Sequence, residues 1–135
     1  MIKETSIALR LGLEKGFVSL EEIEKWADSV LQSDYPYEDW LGDLSTASQN
    51  GVPKTYSTLG TVTGEPVPED MWAAFRDLFS RKIKSGEITA HEALTLLVSQ
   101  GDALPSQVAA DVLKLSKDAS ASNVEDGVRR LIENA

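Results

Sequence analysis

The chain has 135 residues, of which 22 are acidic and 13 basic, and it contains no cysteine. This length suits one domain that buries its own core, so we predict a single domain over residues 1–135, whose helical character follows from the apolar spacing described below. The lack of cysteine excludes disulfides, thiolate metal sites and a cysteine nucleophile, and it fits a reducing compartment.

The net charge of −9 narrows the classes of partner. Ten acids and four bases fall within residues 1–45, so this part alone carries −6. Because phosphate binding requires concentrated lysine and arginine, the composition argues against nucleic acid and favours a basic protein as partner. No apolar run approaches a membrane span, and the N-terminal residues lack a signal-peptide pattern, so we expect a cytoplasmic protein without a membrane partner.

Apolar residues recur at helical spacing along most of the chain, which predicts an all-α fold of six or seven helices. The predicted helices cover about 3–15, 20–31, 36–45, 68–85 and 90–100, and two more begin near Pro105 and Ser122.

The stretch GFVSLEEIEKWAD, residues 16–28, concentrates acids that could be either a site or a helix start. Ser19 and Glu22 have the spacing of a capping box, in which each side chain satisfies a backbone N–H of the other residue. Gly16 just before them predicts a tight turn between two helices. This pattern favours the structural interpretation of the acids.

The same turn pattern recurs 70 residues later, in IKSGEITAHEA. There Gly86 precedes a second capping box made by Thr89 and Glu92. We therefore predict a fold built around two αα-hairpins, centred on Gly16 and Gly86. Ser122 and Glu125 have the spacing of a third capping box.

Residues 46–67 are polar and contain several glycines and prolines. This composition predicts a long polar loop. Because Val52–Thr63 is rich in threonine, valine and tyrosine, which favour strands, a small β-hairpin is the alternative.

Catalytic and metal chemistry find little support in the sequence. His91 is the only histidine, and no nucleophile or orienting acid is specifically supplied for it. Zinc, di-iron, calcium and phosphate-loop patterns are absent. We therefore expect no enzyme activity, no cofactor, no metal and no small-molecule substrate.

The strongest candidate surface is SDYPYEDWLGD, residues 33–43, which combines aromatic rings with acids and contains no base. Aromatic rings supply contact area to a partner, while acids steer its association. The alternative is that Tyr35 and Trp40 only fill a gap between helices. The predicted partner-binding residues are Asp34, Tyr35, Tyr37, Glu38, Asp39, Trp40 and Asp43, with the polar stretch around Lys54–Thr63 as second choice.

A family resemblance adds to this interpretation. The runs GFVSLEEIEKWADSVL and PYEDWLGDLS resemble small acidic helical immunity proteins of bacterial polymorphic toxin and contact-dependent inhibition systems. In that family a helix after a glycine turn carries a W-A-D element, and a short helix with a D-L-S type end follows. The resemblance covers roughly residues 10–46 and, loosely, KIKSGEITAHEA. It implies a protein that binds and neutralises a cognate toxin domain. That toxin domain is expected to be basic, because toxin nucleases bind phosphate.

An acidic helical adaptor or regulatory domain that binds a housekeeping protein is the alternative, since it predicts the same acidic surface. The neighbouring gene distinguishes the two: a large secreted toxin favours immunity, and a metabolic or regulatory operon favours the adaptor.

Overall fold

The computed structural model of the protein describes residues 1–118 and 121–133, and for residues 121 and 122 it describes the backbone alone. The regular secondary structure of the described residues is helical and includes no strand, which confirms the all-α prediction. The helices are α1 (Ile2–Lys15), α2 (Leu20–Leu31), α3 (Asp39–Ser45), α4 (Ala47–Asn50), α5 (Val52–Leu59), α6 (Pro68–Lys84), α7 (Ala90–Ser99), α8 (Ser106–Lys117) and α9 (Ala121–Glu133), with a 3-10 turn at Gly101–Ala103.

The contacts group the chain into two compact units, of which the first is Ile2–Glu65 and the second begins at Pro66. In the first unit, α1 packs against α5, α2 packs against α3 and α4, and α3 also packs against α5. In the second unit, α7 packs against α8 and α9, and α9 also contacts α6. The single domain inferred from the length of the chain stays a prediction.

The predicted polar loop at 46–67 is instead largely helical, because it contains α4 and α5. α5 has a proline in its first turn, where the missing N–H costs nothing, and it buries Thr55 and Leu59, which lie four residues apart. That spacing is helical, so packing of the inward side chains overrides the strand preference of the threonines and valine. The alternative of a β-hairpin is wrong for the same reason. These two extra helices raise the number from the predicted six or seven to nine α-helices among the described residues.

Glycine turns connect α1 to α2 and α6 to α7, as predicted. Gly16 has a φ of 85° and Gly86 a φ of 78°, the left-handed region that favours glycine. At the first turn, Phe17 N donates to the carbonyl oxygen of Gly12 at 3.0 Å. At the second, Glu87 N donates to the carbonyl oxygen of Lys82 at the same 3.0 Å, so the two turns share one backbone pattern.

Both capping boxes are confirmed. Glu22 N donates to Ser19 Oγ at 3.1 Å, and Ser19 N donates to Glu22 Oε1 at 3.2 Å. The equivalent bonds between Thr89 and Glu92 are both 3.0 Å. The third box falls outside the described residues, because the side chain of Ser122 is not described. The backbone of α9 has already become helical at Ala121.

Glu24 has a structural role that the sequence did not indicate. Its Oε1 accepts the backbone N–H of Ser48 in the first turn of α4, at 2.6 Å. The residue at the N-cap position of α4, Thr46, provides no side-chain cap of its own. A carboxylate from α2 therefore caps a helix 24 positions further along the chain.

Candidate protein-binding surface

The predicted segment connects α2 to α3 and continues into the first turns of α3. Its residues 34–38 lie outside helices, and α3 begins at Asp39. The inner face of α3 buries Trp40, Leu41 and Leu44, which fix the helix against the core of the first unit. The opposite face remains available to solvent.

Trp40 lies inside the protein, with 6% of its surface exposed. Its ring stacks on that of Trp26, with centroids 6.1 Å apart and 17° between the planes. The ring of Tyr35 tilts against it at 6.0 Å and 58°. The interpretation that these rings fill a gap between helices therefore describes Trp40, which in this structure has almost no surface to offer a partner.

Glu38 is the centre of a hydrogen-bonded cluster that we call the Glu38 latch, consisting of Glu38, Tyr35 and Thr63. Tyr35 Oη donates to Glu38 Oε2 at 2.7 Å, and Thr63 Oγ1 donates to Oε1 at 2.9 Å and to Oε2 at 3.1 Å. The latch ties the start of the predicted segment to the residues that follow α5. Sequence reasoning missed this contact because nothing in the local pattern indicates a partner 25 residues away.

The latch changes the acidity of its members. The hydrogen bond from Tyr35, followed by that from Thr63, lowers the pKa of Glu38 below its ordinary value. The same bond to Glu38 raises the pKa of the Tyr35 phenol, because the neutral phenol is the donor. The buried indole N–H of Trp40 also favours the Glu38 carboxylate, although it does not reach hydrogen-bond geometry. Glu38 is therefore an ionised group whose oxygens are already engaged within the protein.

Four of the seven predicted residues are exposed: Asp34, Tyr37, Asp39 and Asp43. Tyr37 is the most exposed of the large aromatic and aliphatic side chains among the described residues, at 65%. Within the described part of the chain, no ion pair engages the three aspartates. The surface available to a partner is therefore smaller than the predicted segment and consists of an aromatic ring among unpaired carboxylates.

The charge of the first unit reinforces this local pattern. Its residues 2–65 hold eleven acids and five bases, a net charge of −6. The second-choice surface, around Lys54–Thr63, lies on α5 and the residues after it. Lys54 is exposed there, whereas Thr63 is engaged by Glu38.

The second unit contains an open groove of about 740 Å³ between the end of α6, the start of α7 and α9. His91 lies on its edge, exposed in the first turn of α7. The floor is apolar and already well packed, since each of its deepest side chains is less than a tenth exposed: Ile88, Val124, Val128 and Ile132. In residues 1–118 and 121–133, no group of three His, Asp or Glu side chains is placed to hold a metal ion. Nor does any helix of those residues have the length and apolar character needed to cross a bilayer.

Comparisons of the chain with family models, with curated proteins and with solved structures give no significant match. The exposed acids and Tyr37 are therefore the features of this chain that bear on its function.

Proposed function

We propose that this protein is an immunity protein that binds a basic bacterial toxin domain in the cytoplasm and blocks its activity. The observation that carries the proposal is the exposed set formed by Tyr37 with Asp34, Asp39 and Asp43, on a unit of net charge −6. Inhibition through such a surface needs no cofactor and no catalytic residue, because it requires only that binding block the active site of the toxin domain.

Electrostatics favour a basic partner. Toxin domains that act on nucleic acid must concentrate positive charge to bind phosphate, so their surfaces complement an acidic inhibitor. Charge complementarity of this kind raises association rates by about tenfold to a thousandfold at low salt. Rapid association suits an inhibitor that must capture its target before the target acts.

The exposed tyrosine complements the acids. Aromatic side chains are among the residues that contribute most binding energy at the centre of protein interfaces. Glu38 of the latch and Trp40 of the Trp26–Trp40 stack follow Tyr37 closely in the chain, so their contacts restrain the residues around it. An ordered surface loses less conformational entropy when it binds, which favours affinity.

The test is co-expression with the product of the adjacent gene. If that gene encodes a toxin, the wild-type chain should restore growth of cells expressing the toxin domain and should co-purify with it. The charge-reversed variant Asp34→Lys/Asp39→Lys/Asp43→Lys should lose rescue while keeping its helical circular dichroism spectrum.

A matched control carries the same change of charge elsewhere. Glu14, Glu65 and Asp102 are exposed, so their triple replacement by lysine alters the net charge equally. This control should retain rescue. Co-purification with a housekeeping protein, without protection from any toxin, would establish the adaptor instead.

A further inference from the structure

Asn50 is followed by Gly51, and asparagine before glycine is the asparagine that loses its side-chain amide most readily in polypeptides. In an unfolded chain the backbone nitrogen of the glycine attacks Cγ of the asparagine, because no Cβ shields that nitrogen. The new N–Cγ bond closes a succinimide ring, the Cγ–Nδ2 bond breaks, and the proton from the backbone nitrogen leaves with Nδ2 as ammonia. Water then opens the ring, so that asparagine and water give aspartate or isoaspartate and ammonia.

The fold restrains both reacting groups of this pair. Gly51 N donates to the carbonyl oxygen of Ala47 at 2.9 Å, so its hydrogen is engaged within the chain and is withheld from base. Asn50 Nδ2 donates to the carbonyl oxygen of Asp43 at 2.8 Å and to Thr46 Oγ1 at 3.1 Å. Asn50 is also the last residue of α4. The helical ψ of about −42° must change before a nearly planar succinimide ring, which includes the Cα–C bond, can close.

The restraint on Asn50 depends on a contact with α2. α4 has only 4 residues, and a helix that short is not stable by itself, so its contacts with neighbouring elements hold it in place. One of these contacts is the bond at 2.6 Å from Ser48 N to Glu24 Oε1. Loss of this bond should increase the population of chains in which α4 is open and Asn50 is free to react.

We propose that Asn50 is a deamidation site, which the folded chain keeps closed through α4 and its cap by Glu24, and which local opening of α4 exposes. The product also favours the open state. An aspartate formed from Asn50 has a carboxylate oxygen where Nδ2 donates to the carbonyl oxygen of Asp43, so two acceptors face each other. Because Asp43 belongs to α3, the modification weakens the end of the helix that carries part of the proposed partner surface.

The first test follows two asparagines of the wild-type chain by peptide-mapping mass spectrometry, at mildly alkaline pH, in buffer and in guanidinium chloride. Asn123 is the internal reference, because the branched side chain of Val124 shields the nitrogen that would attack it. In guanidinium chloride Asn50 should deamidate at least severalfold faster than Asn123. In buffer the rate at Asn50 should fall by about tenfold or more, because only the open fraction of the chains reacts.

The second test removes the cap of α4 without changing the reacting pair. Glu24→Ala removes the acceptor for Ser48 N and should raise the rate at Asn50 in buffer by about tenfold. The control Glu21→Ala removes an exposed acid of the same helix, with the same change of charge, and should leave this rate nearly unchanged. Neither variant should alter the rate in guanidinium chloride, where α4 is absent.

The third test measures the effect of the product on stability. Asn50→Asp should unfold at a lower urea concentration than the wild type, because the bond to the carbonyl oxygen of Asp43 is lost. The control Gln49→Glu makes the same change of charge at an exposed neighbouring residue and should unfold close to the wild type.

Equal deamidation rates of Asn50 in buffer and in guanidinium chloride would overturn the inference, since the fold would then give no protection. An unchanged rate in Glu24→Ala would also overturn it, because opening of α4 would not be the route to reaction. Both measurements use the chain without a partner, so their outcome is distinct from that of the toxin experiment.

Discussion

Thr63 donates its hydroxyl hydrogen to the Glu38 carboxylate, at 2.9 Å from one oxygen and 3.1 Å from the other, across 25 residues of chain. This contact makes Glu38 a positioning residue for the exposed surface. The acids that remain free for a partner are therefore its neighbours and not Glu38 itself, a distinction that the charge pattern of the sequence does not contain.

The latch gives stability a defined dependence on pH. Hydrogen bonds hold the pKa of Glu38 below its ordinary value of 4.5. Its stabilising contribution is therefore complete above the ordinary pKa and is lost as the pH falls through the lowered pKa of the folded state. We expect Glu38→Gln to unfold at lower urea concentration than the wild type at about pH 7, and the difference to shrink towards about pH 3.

The control for the latch is Glu14→Gln, which removes an exposed acid of α1 in the same unit. Its difference from the wild type should stay small across the range. If Glu38→Gln and Glu14→Gln show the same profile, the latch makes no contribution to stability.

Loss of either capping box should cost measurable stability. Ser19→Ala and Thr89→Ala each remove a hydroxyl that accepts the backbone N–H three residues on. Each variant should lose about 1 kcal/mol of unfolding free energy in urea denaturation. Ser19→Thr and Thr89→Ser keep the acceptor and should lose much less. A full loss in these conservative variants would show that the hydroxyl is not the cause.

Gly12→Ala should destabilise the protein although alanine is the better helix former. A Cβ on Gly12 would overlap Val18 Cγ2, and the β-branched Val18 is held by the turn, where its N–H donates to the carbonyl of Gly12 at 3.1 Å. The gain in helix propensity is up to about 1 kcal/mol, and overpacking costs about 1–3 kcal/mol. We expect a net loss, measured by urea denaturation.

Double-mutant analysis checks the cause of that loss. Val18→Ala alone should destabilise by removing a buried side chain. Adding Gly12→Ala to Val18→Ala should then cost less than it costs in the wild type, because the overlapping methyl group is gone. Equal costs in the two backgrounds would place the strain elsewhere.

Association with a basic toxin should depend on the three free aspartates. Asp34→Lys/Asp39→Lys/Asp43→Lys should slow association by about tenfold or more at low salt, and the deficit should shrink as salt increases. Stopped-flow or surface plasmon resonance measures this rate. An association rate as high as that of the wild type, in a correctly folded variant, would move the interface to another surface.

The helices that the sequence predicts best have strong local signals. Capping residues, turn glycines and apolar stripes identify α2, α6 and α7 closely, because each signal lies within a few residues of the element it controls. α5 was not predicted because its threonines favour a strand locally, and its packing against α1, α3 and α4 favours the helix instead.

The sequence predicts which types of residue form the candidate surface, but it does not predict which of those residues are exposed. The sequence identifies the aromatic and acidic residues between α2 and α3. It does not show that Trp40 packs on Trp26 or that the hydroxyl of Tyr37 approaches Gly42, because those contacts depend on how α3 is placed against α2 and against the residues before it. Local sequence thus indicates the type of surface, whereas tertiary packing selects the residues that form it.

The two glycine turns have the same backbone hydrogen-bond pattern but different side-chain contacts. Their responses to acid can therefore be compared within one protein. At the first turn, apolar side-chain atoms of Phe17 and Val18 pack over Gly12. At the second, Lys82 Nζ lies 3.1 Å from Glu87 Oε2, and Ser85 and Lys82 hold the pKa of Glu87 below its ordinary value. Acid should therefore neutralise the Glu87 carboxylate of the second turn and leave the contacts of Phe17 and Val18 with Gly12 in place, so that at low pH the amide protons of residues 86–88 exchange with solvent before those of residues 16–18.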